Sequence, residues 1–196
     1  MISGDRIILA SASPRRRELL KEAGIAFEAV SHRVDESLFS TENIDPASYA
    51  EKLALAKAGS VSGEFPRRLI AGADTIVDCG GKIIGKPEDA EDAERIIRLL
   101  FSRPHDVITG VALVCPMRKL EVVRSDRTRI YPYPGSDTKL REHIAGGSWA
   151  GKAGAYAVQE GGDKFIERFE GSFSNVIGMP MELFQLMLDT VADHKF

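Results

Sequence analysis

The sequence has few cysteines and no long apolar stretch. Only two of its 196 residues are cysteines, Cys79 and Cys115, and neither shows the Cys/His spacing of a zinc site. Two cysteines are also too few for a disulfide framework, so we expect both thiols to be reduced. No apolar run approaches the roughly 20 residues of a bilayer-spanning helix. Asp5 and Arg6 precede an apolar run of only four residues, Ile7 to Ala10, which does not resemble a signal peptide, so we expect a cytoplasmic protein.

An excess of charge of one sign is also absent. The chain has 26 basic and 29 acidic residues and a formal net charge of -3, so it has no global attraction for nucleic acid or an anionic membrane. It also lacks the interleaved aromatic and basic residues of a nucleic-acid-binding surface. Hydrophobic residues make up 43% and charged residues 28%, which predicts one globular domain over residues 1–196. Any phosphorylated ligand must therefore be bound by a local cluster.

The segment from Leu69 to Pro87 combines an apolar run, a carboxylate, a Gly-Gly pair and a lysine. Leu69 to Val77 reads as a strand, Gly80-Gly81 as a tight turn with positive φ, and Lys82 to Ile84 as the return strand. This hairpin would bring Lys86 back toward Asp74. A carboxylate and an ammonium in one cleft suit a metal-bound phosphate substrate. The alternative is a surface salt bridge on an ordinary hairpin.

The N-terminal residues predict a strand, a polar turn and a helix. Arg6 to Ala10 is the strand, Ser13 is the expected N-cap, and Pro14 suits the first helical position. Ser11, the run Arg15 to Arg17 and the unpaired backbone N–H groups of that helix terminus combine hydrogen-bond donors with positive charge. These are the properties of a phosphate site, since three arginines in a first turn oppose the helix dipole unless an anion binds. A solvated basic turn is the alternative.

Two adjacent acids follow the next predicted strand, residues 26–31. Asp35 or Glu36 could join Asp74 in holding a divalent cation, because hard cations prefer carboxylate oxygens. An exposed acidic turn explains the same residues. His32 stands alone in the sequence, and we expect it to be structural.

The remaining chain alternates helices and strands. Helical periodicity or composition predicts helices over 46–58, 90–101, 138–145 and 180–194, and apolar or alternating runs predict strands over 106–115, 120–133 and 164–169. Residues 59–65 and 170–175 are expected to be loops. Lys152 to Gln159 is rich in small residues, which either lets a backbone approach a ligand or allows tight core packing. Lys52 and Lys57 are five residues apart on one helix, so only one of them is expected to face a given site.

Seven motifs in a fixed order give the chain a family resemblance. They are Ser11–Leu20, Val34–Glu36, Leu53–Ala58, Gly72–Val77, Gly85–Pro87, Lys152–Gln159 and Asn175–Pro180. This set resembles the Maf family of nucleoside triphosphate pyrophosphatases along nearly the whole chain. The resemblance implies hydrolysis between the α and β phosphates, a divalent cation such as Mg or Mn, and a cytoplasmic, often dimeric enzyme. It also implies an elongated α/β fold, with a mixed sheet, flanking helices and two lobes around a deep cleft, related to the inosine triphosphatases.

The resemblance also assigns roles to individual residues. Asp74 matches the family's catalytic acid and Glu36 its acidic partner, and both are the expected metal ligands. The positions that grip the triphosphate correspond to Ser11, Arg16, Lys57 and Lys86, of which Lys86 is also expected to assist catalysis. Lys57 is therefore favoured over Lys52.

The motifs further resemble the subgroup that hydrolyses dTTP and UTP. Arg16, Thr75 and Gln159 stand where that subgroup differs from relatives acting on 7-methyl-GTP, and Gln159 could pair with the 4-oxo and N3–H edge of thymine or uracil. Glu160 departs from the glycine usual after this glutamine. Two alternatives remain: a pyrophosphatase that prefers modified or deaminated purine nucleotides, and a non-enzymatic nucleotide- or nucleic-acid-binding regulator of cell division.

Overall fold

A computed structural model describes residues 6–133, 137–147, 149–156 and 165–193. Within these ranges the strands form one mixed sheet: β1 (Ile7–Ala10), β2 (Phe27–Val30), β3 (Ile70–Cys79), β4 (Lys82–Ile84), β5 (His105–Cys115), β6 (Leu120–Pro132) and β7 (Ile166–Glu170). The helices are α1 (Pro14–Glu22), α2 (Pro46–Ser62), α3 (Ala90–Phe101), α4 (Asp137–Ala145), α5 (Phe173–Ile177) and α6 (Met181–Asp193). None of the helices described is both long and apolar enough to cross a membrane. The predicted α/β class with a mixed sheet and flanking helices is confirmed.

Strand β3 organises the sheet, whose order is β2-β1-β3-β5-β6-β7 with β4 attached to β3. Strand β5 pairs with β3 from Ile70 to Asp78 along one edge. On the other edge β1 pairs only at Ile70 and Ala71, and β4 pairs only from Val77 to Cys79. Residues 72–76 therefore have no strand partner on that edge in the described part of the chain. This opening separates the β1 end of β3 from its β4 end, and we refer to these two ends as the lobes.

Helix α2 covers one face of the sheet at very short range. A Cβ atom at Gly72 or at Gly110 would collide with the α2 backbone at Ala54 or Ala50. Glycine at these two positions thus allows the helix to lie directly on β3 and β5, and it fixes the register of α2 over the sheet. Apolar side chains of α2, including Leu53, complete the packing of this face.

The opposite face carries two separate hydrophobic clusters. Helices α1 and α6 pack over Ala71 and Ala73 at one end of β3. Helix α3 packs over Val77 and Cys79 at the other end. Since side chains alternate between the faces of a strand, the even residues of β3 face α2 and the odd residues face these clusters. Thr75 lies between the two clusters.

The β3–β4 hairpin forms as predicted, with positive φ at Gly80 and Gly81. Two predicted loops were wrong. Helix α2 continues to Ser62, because Val61 is buried against the sheet and extends the apolar side of the helix past Ala58. Residues 173–177 form the short helix α5, which the Ser172 hydroxyl caps at its start and Gly178, at φ 118°, ends. 

Both cysteines are buried and neither forms a disulfide. Cys79 is the last residue of β3, directly before the Gly80-Gly81 turn, and it packs into the α3 cluster.

Candidate active site

A cavity of about 560 Å³ lies at the open edge of β3 and is lined from both lobes. Asp74 points toward α2 and Thr75 toward the opposite face, because consecutive residues of a strand alternate. Both side chains nevertheless border the same cavity, since no neighbouring strand covers this edge. The cavity thus wraps around β3 and is lined by chemically different side chains on the two faces.

A row of alternating charges lines the α2 side of the cavity. The Lys57 ammonium lies 2.5 Å from Asp74 Oδ1 and 2.7 Å from Glu36 Oε1. Lys86 lies 3.2 Å from Glu36 Oε2. The Lys57 side chain is only 4% exposed and that of Asp74 9%, so each buried charge depends on its neighbour for compensation.

The ion pairs differ from the expectation that the hairpin would bring Lys86 to Asp74. Lys86 lies in the same cavity but pairs with Glu36, and Lys57 from α2 pairs with Asp74. The reason is the close approach of α2 to the sheet at Gly72 and Gly110, which brings Lys57 over the middle of β3.

The electrostatics of this row keep Glu36 ionised. Partial burial raises the pKa of Glu36, but hydrogen bonding to Lys57 and the charges of Lys57 and Lys86 outweigh it and leave the pKa at about 2. Asp35 plays a different part, because it is exposed and its Oδ1 accepts a hydrogen bond from the Ser37 backbone N–H at 3.0 Å. Of the two adjacent acids, only Glu36 lines the cavity.

Arg16 dominates the other side of the cavity. Its Nε donates to the Gly178 carbonyl at 2.6 Å, its Nη1 to Ser11 Oγ at 3.3 Å and its Nη2 to Thr75 Oγ1 at 3.0 Å. Burial lowers the pKa of this guanidinium, and the charge of Asp74 partly opposes that effect. A bound anion would compensate the buried positive charge further.

The structure brings together seven of the eight site residues that the sequence predicts. The cavity is lined by Ser11, Arg16, Glu36, Lys57, Asp74, Thr75 and Lys86. Gln159, together with Glu160, lies outside the described residues. Lys52 points elsewhere, with its ammonium 5.7 Å from the Phe39 ring centre, so Lys57 is the lysine of α2 that faces the site.

Several further residues of the cavity have no clear signal in the sequence. His32, expected to be structural, lines the cavity; its Nδ1 accepts a hydrogen bond from the Val34 N–H at 3.3 Å. Burial and then the charge of Lys57 lower the pKa of His32, so its ring is neutral at pH 7. Tyr156 lines the cavity too, and its hydroxyl lies 2.7 Å from Nε2 of the buried His105. The contact between Tyr156 and His105 joins residues that are 51 positions apart in the chain.

The carboxylates of Asp74 and Glu36 fit a divalent cation as its protein ligands. Both are hard oxygen donors, both line the same cavity, and both lie beside the ammonium of Lys57. Across the described ranges no group of three or more His, Cys, Asp or Glu side chains could hold a metal ion. This donor set suits Mg²⁺, which commonly takes one or two carboxylates and completes its coordination with substrate phosphate and water.

Comparison with known proteins decides the family. The model of the family described as Maf-like protein matches residues 6–191. The chain belongs to the Maf family. Its Maf relatives include the dTTP/UTP pyrophosphatase of Geotalea uraniireducens, 46% identical over 181 residues that cover 92% of each chain. The dTTP/UTP pyrophosphatase of Elusimicrobium minutum is 44% identical over 183 residues, which cover 93% of this chain and 97% of the relative.

A solved structure supports the architecture of this Maf chain. The Staphylococcus aureus Ham1 protein superposes with a TM-score of 0.53 at 12% identity, covering 95% of this chain and 99% of the other. At this identity the likeness concerns the fold alone.

Proposed function

We propose that the chain is a nucleoside triphosphate pyrophosphatase that hydrolyses dTTP and UTP to the monophosphate and pyrophosphate. The observation that carries this proposal is that one cavity holds both a row of alternating charges and the Arg16 guanidinium. The row consists of Asp74, Lys57, Glu36 and Lys86. It combines carboxylates for a cation and a water molecule with cations for phosphate oxygens. The names of the relatives point to the same activity.

In the reaction that we propose, water attacks the α-phosphorus of the nucleoside triphosphate. A new P–O bond forms to the water oxygen, the bridging P–O bond breaks, and pyrophosphate leaves. Asp74 accepts the water proton as general base. Lys57 engages Oδ1 of Asp74, so Oδ2 is the oxygen assigned to this proton. Lys57 also holds the carboxylate in a single orientation before the substrate binds.

The cations of the site bind the triphosphate. Lys86, whose side chain is 55% exposed, is the most accessible residue of the row. When the substrate binds, its ammonium leaves Glu36 and contacts a phosphate oxygen. Ser11 and Arg16 bind phosphate from the other lobe, beside the N-terminus of α1. A divalent cation held by Asp74 and Glu36 would neutralise charge on the phosphate oxygens. Together these groups compensate the negative charge of the substrate.

The pyrimidine preference rests on Arg16, Thr75 and Gln159. Thr75 and Arg16 are in contact in the cavity, and Gln159 is proposed to bind the 4-oxo and N3–H edge of the base. A site that hydrogen-bonds this edge rejects bases that lack the matching groups, because its own polar groups are then left unpaired.

A substrate panel tests the proposal. Purified protein with Mg or Mn is given dTTP, UTP, CTP, dATP and GTP, and pyrophosphate release is measured. We expect turnover of dTTP and UTP to be at least about tenfold faster than that of the purines, as loss of matched hydrogen bonds implies. A flat profile would contradict the pyrimidine preference. No turnover at all would contradict an enzyme and favour a nucleotide-binding regulator of cell division.

We further propose that residues 1–196 form one domain and that the protein acts as a homodimer in the cytoplasm. The dimer follows from the Maf relationship, and the single domain and the cytoplasm follow from the composition and N-terminal pattern of the sequence as well as from that relationship. Sedimentation equilibrium measures the oligomeric state directly, and a monomeric mass at micromolar concentration would contradict the dimer.

A further inference from the structure

A buried chain of hydrogen bonds lies behind Thr75. Thr75 and Thr109 stand directly opposite each other on β3 and β5, with their hydroxyl oxygens 3.0 Å apart. The Thr109 hydroxyl donates to the backbone carbonyl of Asn175 at 2.9 Å. Thr109 and Asn175 are both 0% exposed, so water does not compete for these bonds.

The chemistry at the two ends fixes the direction of this chain. The Asn175 carbonyl can only accept, so the single hydroxyl hydrogen of Thr109 is committed to it. Thr75 must then donate its own hydrogen to Thr109. The guanidinium of Arg16 can only donate, and the hydroxyl oxygen of Thr75 accepts from its Nη2 at 3.0 Å. Thr75 therefore has no hydrogen left for a ligand.

Helix α5 anchors the chain at its far end. The Asn175 side-chain amide donates to the Val107 carbonyl and to the Thr128 hydroxyl, both at 2.9 Å. Gly178, which ends α5, accepts directly from Arg16 Nε at 2.6 Å. Two of the three bonds that hold the Arg16 guanidinium thus lead back to α5, one of them directly and the other through Thr75 and Thr109.

We propose that Thr109 and Asn175 are positioning residues for Arg16. They make the Thr75 hydroxyl a hydrogen-bond acceptor, which fixes the plane of the guanidinium and commits three of its five N–H groups to the protein. The remaining two N–H groups serve the nucleotide. Thr75 acts on the substrate through Arg16 and does not donate to the base. This inference rests on the proposed function and specifies how that site selects its substrate.

Thr109→Val tests the proposal, because valine matches the shape of threonine and lacks the hydroxyl. We expect KM for dTTP to rise by up to about tenfold while kcat changes little, since Thr75 loses the neutral hydrogen bond that orients its hydroxyl toward Arg16, and such a bond is typically worth about one factor of ten in binding or less. Thr109→Ser restores the hydroxyl and should return KM to within about twofold of wild type.

Thr128→Val is the matched control. Thr128 is also 0% exposed, and it bonds to Asn175 and to the Ser172 carbonyl. This variant therefore loses two buried hydrogen bonds in the same region, as Thr109→Val does, but it leaves the chain to Arg16 intact because that chain uses the Asn175 backbone carbonyl and not its side chain. The proposal would be supported if the two valine variants lose similar thermal stability while only Thr109→Val raises KM. Equal rises of KM in both valine variants would overturn it.

A double-mutant cycle separates this proposal from a direct contact between Thr75 and the base. If Thr75 acts only through the chain, Thr75→Val and Thr75→Val/Thr109→Val have the same KM. Additive effects, or a Thr109→Val variant that binds dTTP as wild type does, would overturn the inference.

A measurement on the free protein keeps the inference testable if the proposed activity fails. The Nε–H resonance of isotope-labelled Arg16, assigned with Arg16→Lys, reports the hydrogen bond to Gly178 without any substrate. We expect faster solvent exchange of this proton in Thr109→Val than in Thr128→Val. Identical exchange in the two variants would contradict positioning, whereas absent turnover by the wild-type protein would contradict only the proposed function.

Discussion

The two faces of β3 hold their functional side chains by different physical means. On the α2 face, Asp74 is held by the charge of Lys57 at 2.5 Å. On the other face, Thr75 accepts a hydrogen bond from the Arg16 guanidinium and donates into a chain of neutral groups that ends on the Asn175 backbone. The charged face can exchange partners when a substrate arrives, whereas this hydrogen-bonded face has one satisfied arrangement. The comparison indicates that chemistry is assigned to the first face and orientation of the substrate to the second.

The largest expected effect concerns the acid of the charged face. Asp74→Asn keeps the shape of the side chain but removes the general base, so we expect kcat for dTTP to fall by about 10²–10⁴-fold. Lys57 retains Glu36 at 2.7 Å, so the fold and the binding of a non-hydrolysable dTTP analogue should persist.

Asp78→Asn provides a control on the same face of the same strand. Asp78 is buried outside the cavity, where its Oδ1 accepts the Gly81 N–H at 2.8 Å. Its substitution should leave kcat within about twofold of wild type. Unfolding of Asp74→Asn without a separate kinetic effect would show that Asp74 is purely structural.

Lys57→Met tests the charge compensation of this face. The variant leaves Asp74 buried without its cation, and removing one partner of a buried pair typically costs about 3–5 kcal/mol. The free energy of unfolding, measured with urea, should fall by that amount. Lys52→Met on the same helix should change it by less than about 0.5 kcal/mol. Equal changes in the two variants would contradict a buried pair between α2 and β3.

Gly178→Ala perturbs the hydrogen-bonded face. Gly178 has φ 118°, and a Cβ atom there would lie 3.2 Å from Thr75 Oγ1, so we expect a loss of about 1–3 kcal/mol of stability together with a higher KM. Gly59→Ala is the contrasting variant, because Gly59 lies within α2 and a Cβ there meets no atom within 4 Å. That substitution should stabilise the protein by about 0.5–1 kcal/mol. A neutral result at Gly178 would argue against tight packing of α5 on Arg16.

The smallest effect expected is an acid dependence of stability. Glu36 has a folded pKa of about 2 against an ordinary value of 4.5, so the folded state binds fewer protons than the unfolded chain between these values. The contribution is fully present above about pH 4.5 and is lost as the pH falls through about 2. It is modest because the side chain is 36% exposed.

Unfolding of wild type and Glu36→Gln between about pH 2 and 5 checks this sign, because this range spans the two pKa values. The difference in stability between the proteins should shrink as the pH decreases. A difference that stays constant with pH would contradict the depressed pKa of Glu36.

Much of the scaffold was predictable from local patterns. Gly80-Gly81 predicted the hairpin, Ser13 and Pro14 the start of α1, and apolar periodicity the helix α3. These signals lie within a few residues of the structure that they specify. The family motifs likewise identified seven residues of the cavity before their geometry was known.

The pairings within the site were not predictable in the same way. The contact of Lys57 with Asp74 depends on the register of α2 over β3, which glycines 72 and 110 set in three dimensions. The Thr75–Thr109 contact depends on strand register, and threonine is common in strands without any such role. The short helix α5 was predicted as a loop because five residues show too little periodicity.

The products of dTTP hydrolysis test the central claim most directly. Phosphorus NMR of dTTP incubated with the purified protein and Mg distinguishes cleavage at the α–β anhydride from cleavage at the β–γ anhydride. The account predicts that dTMP and pyrophosphate appear together and that Asp74→Asn produces neither at a comparable rate. Formation of dTDP and inorganic phosphate, or equal rates for wild type and Asp74→Asn, would contradict it.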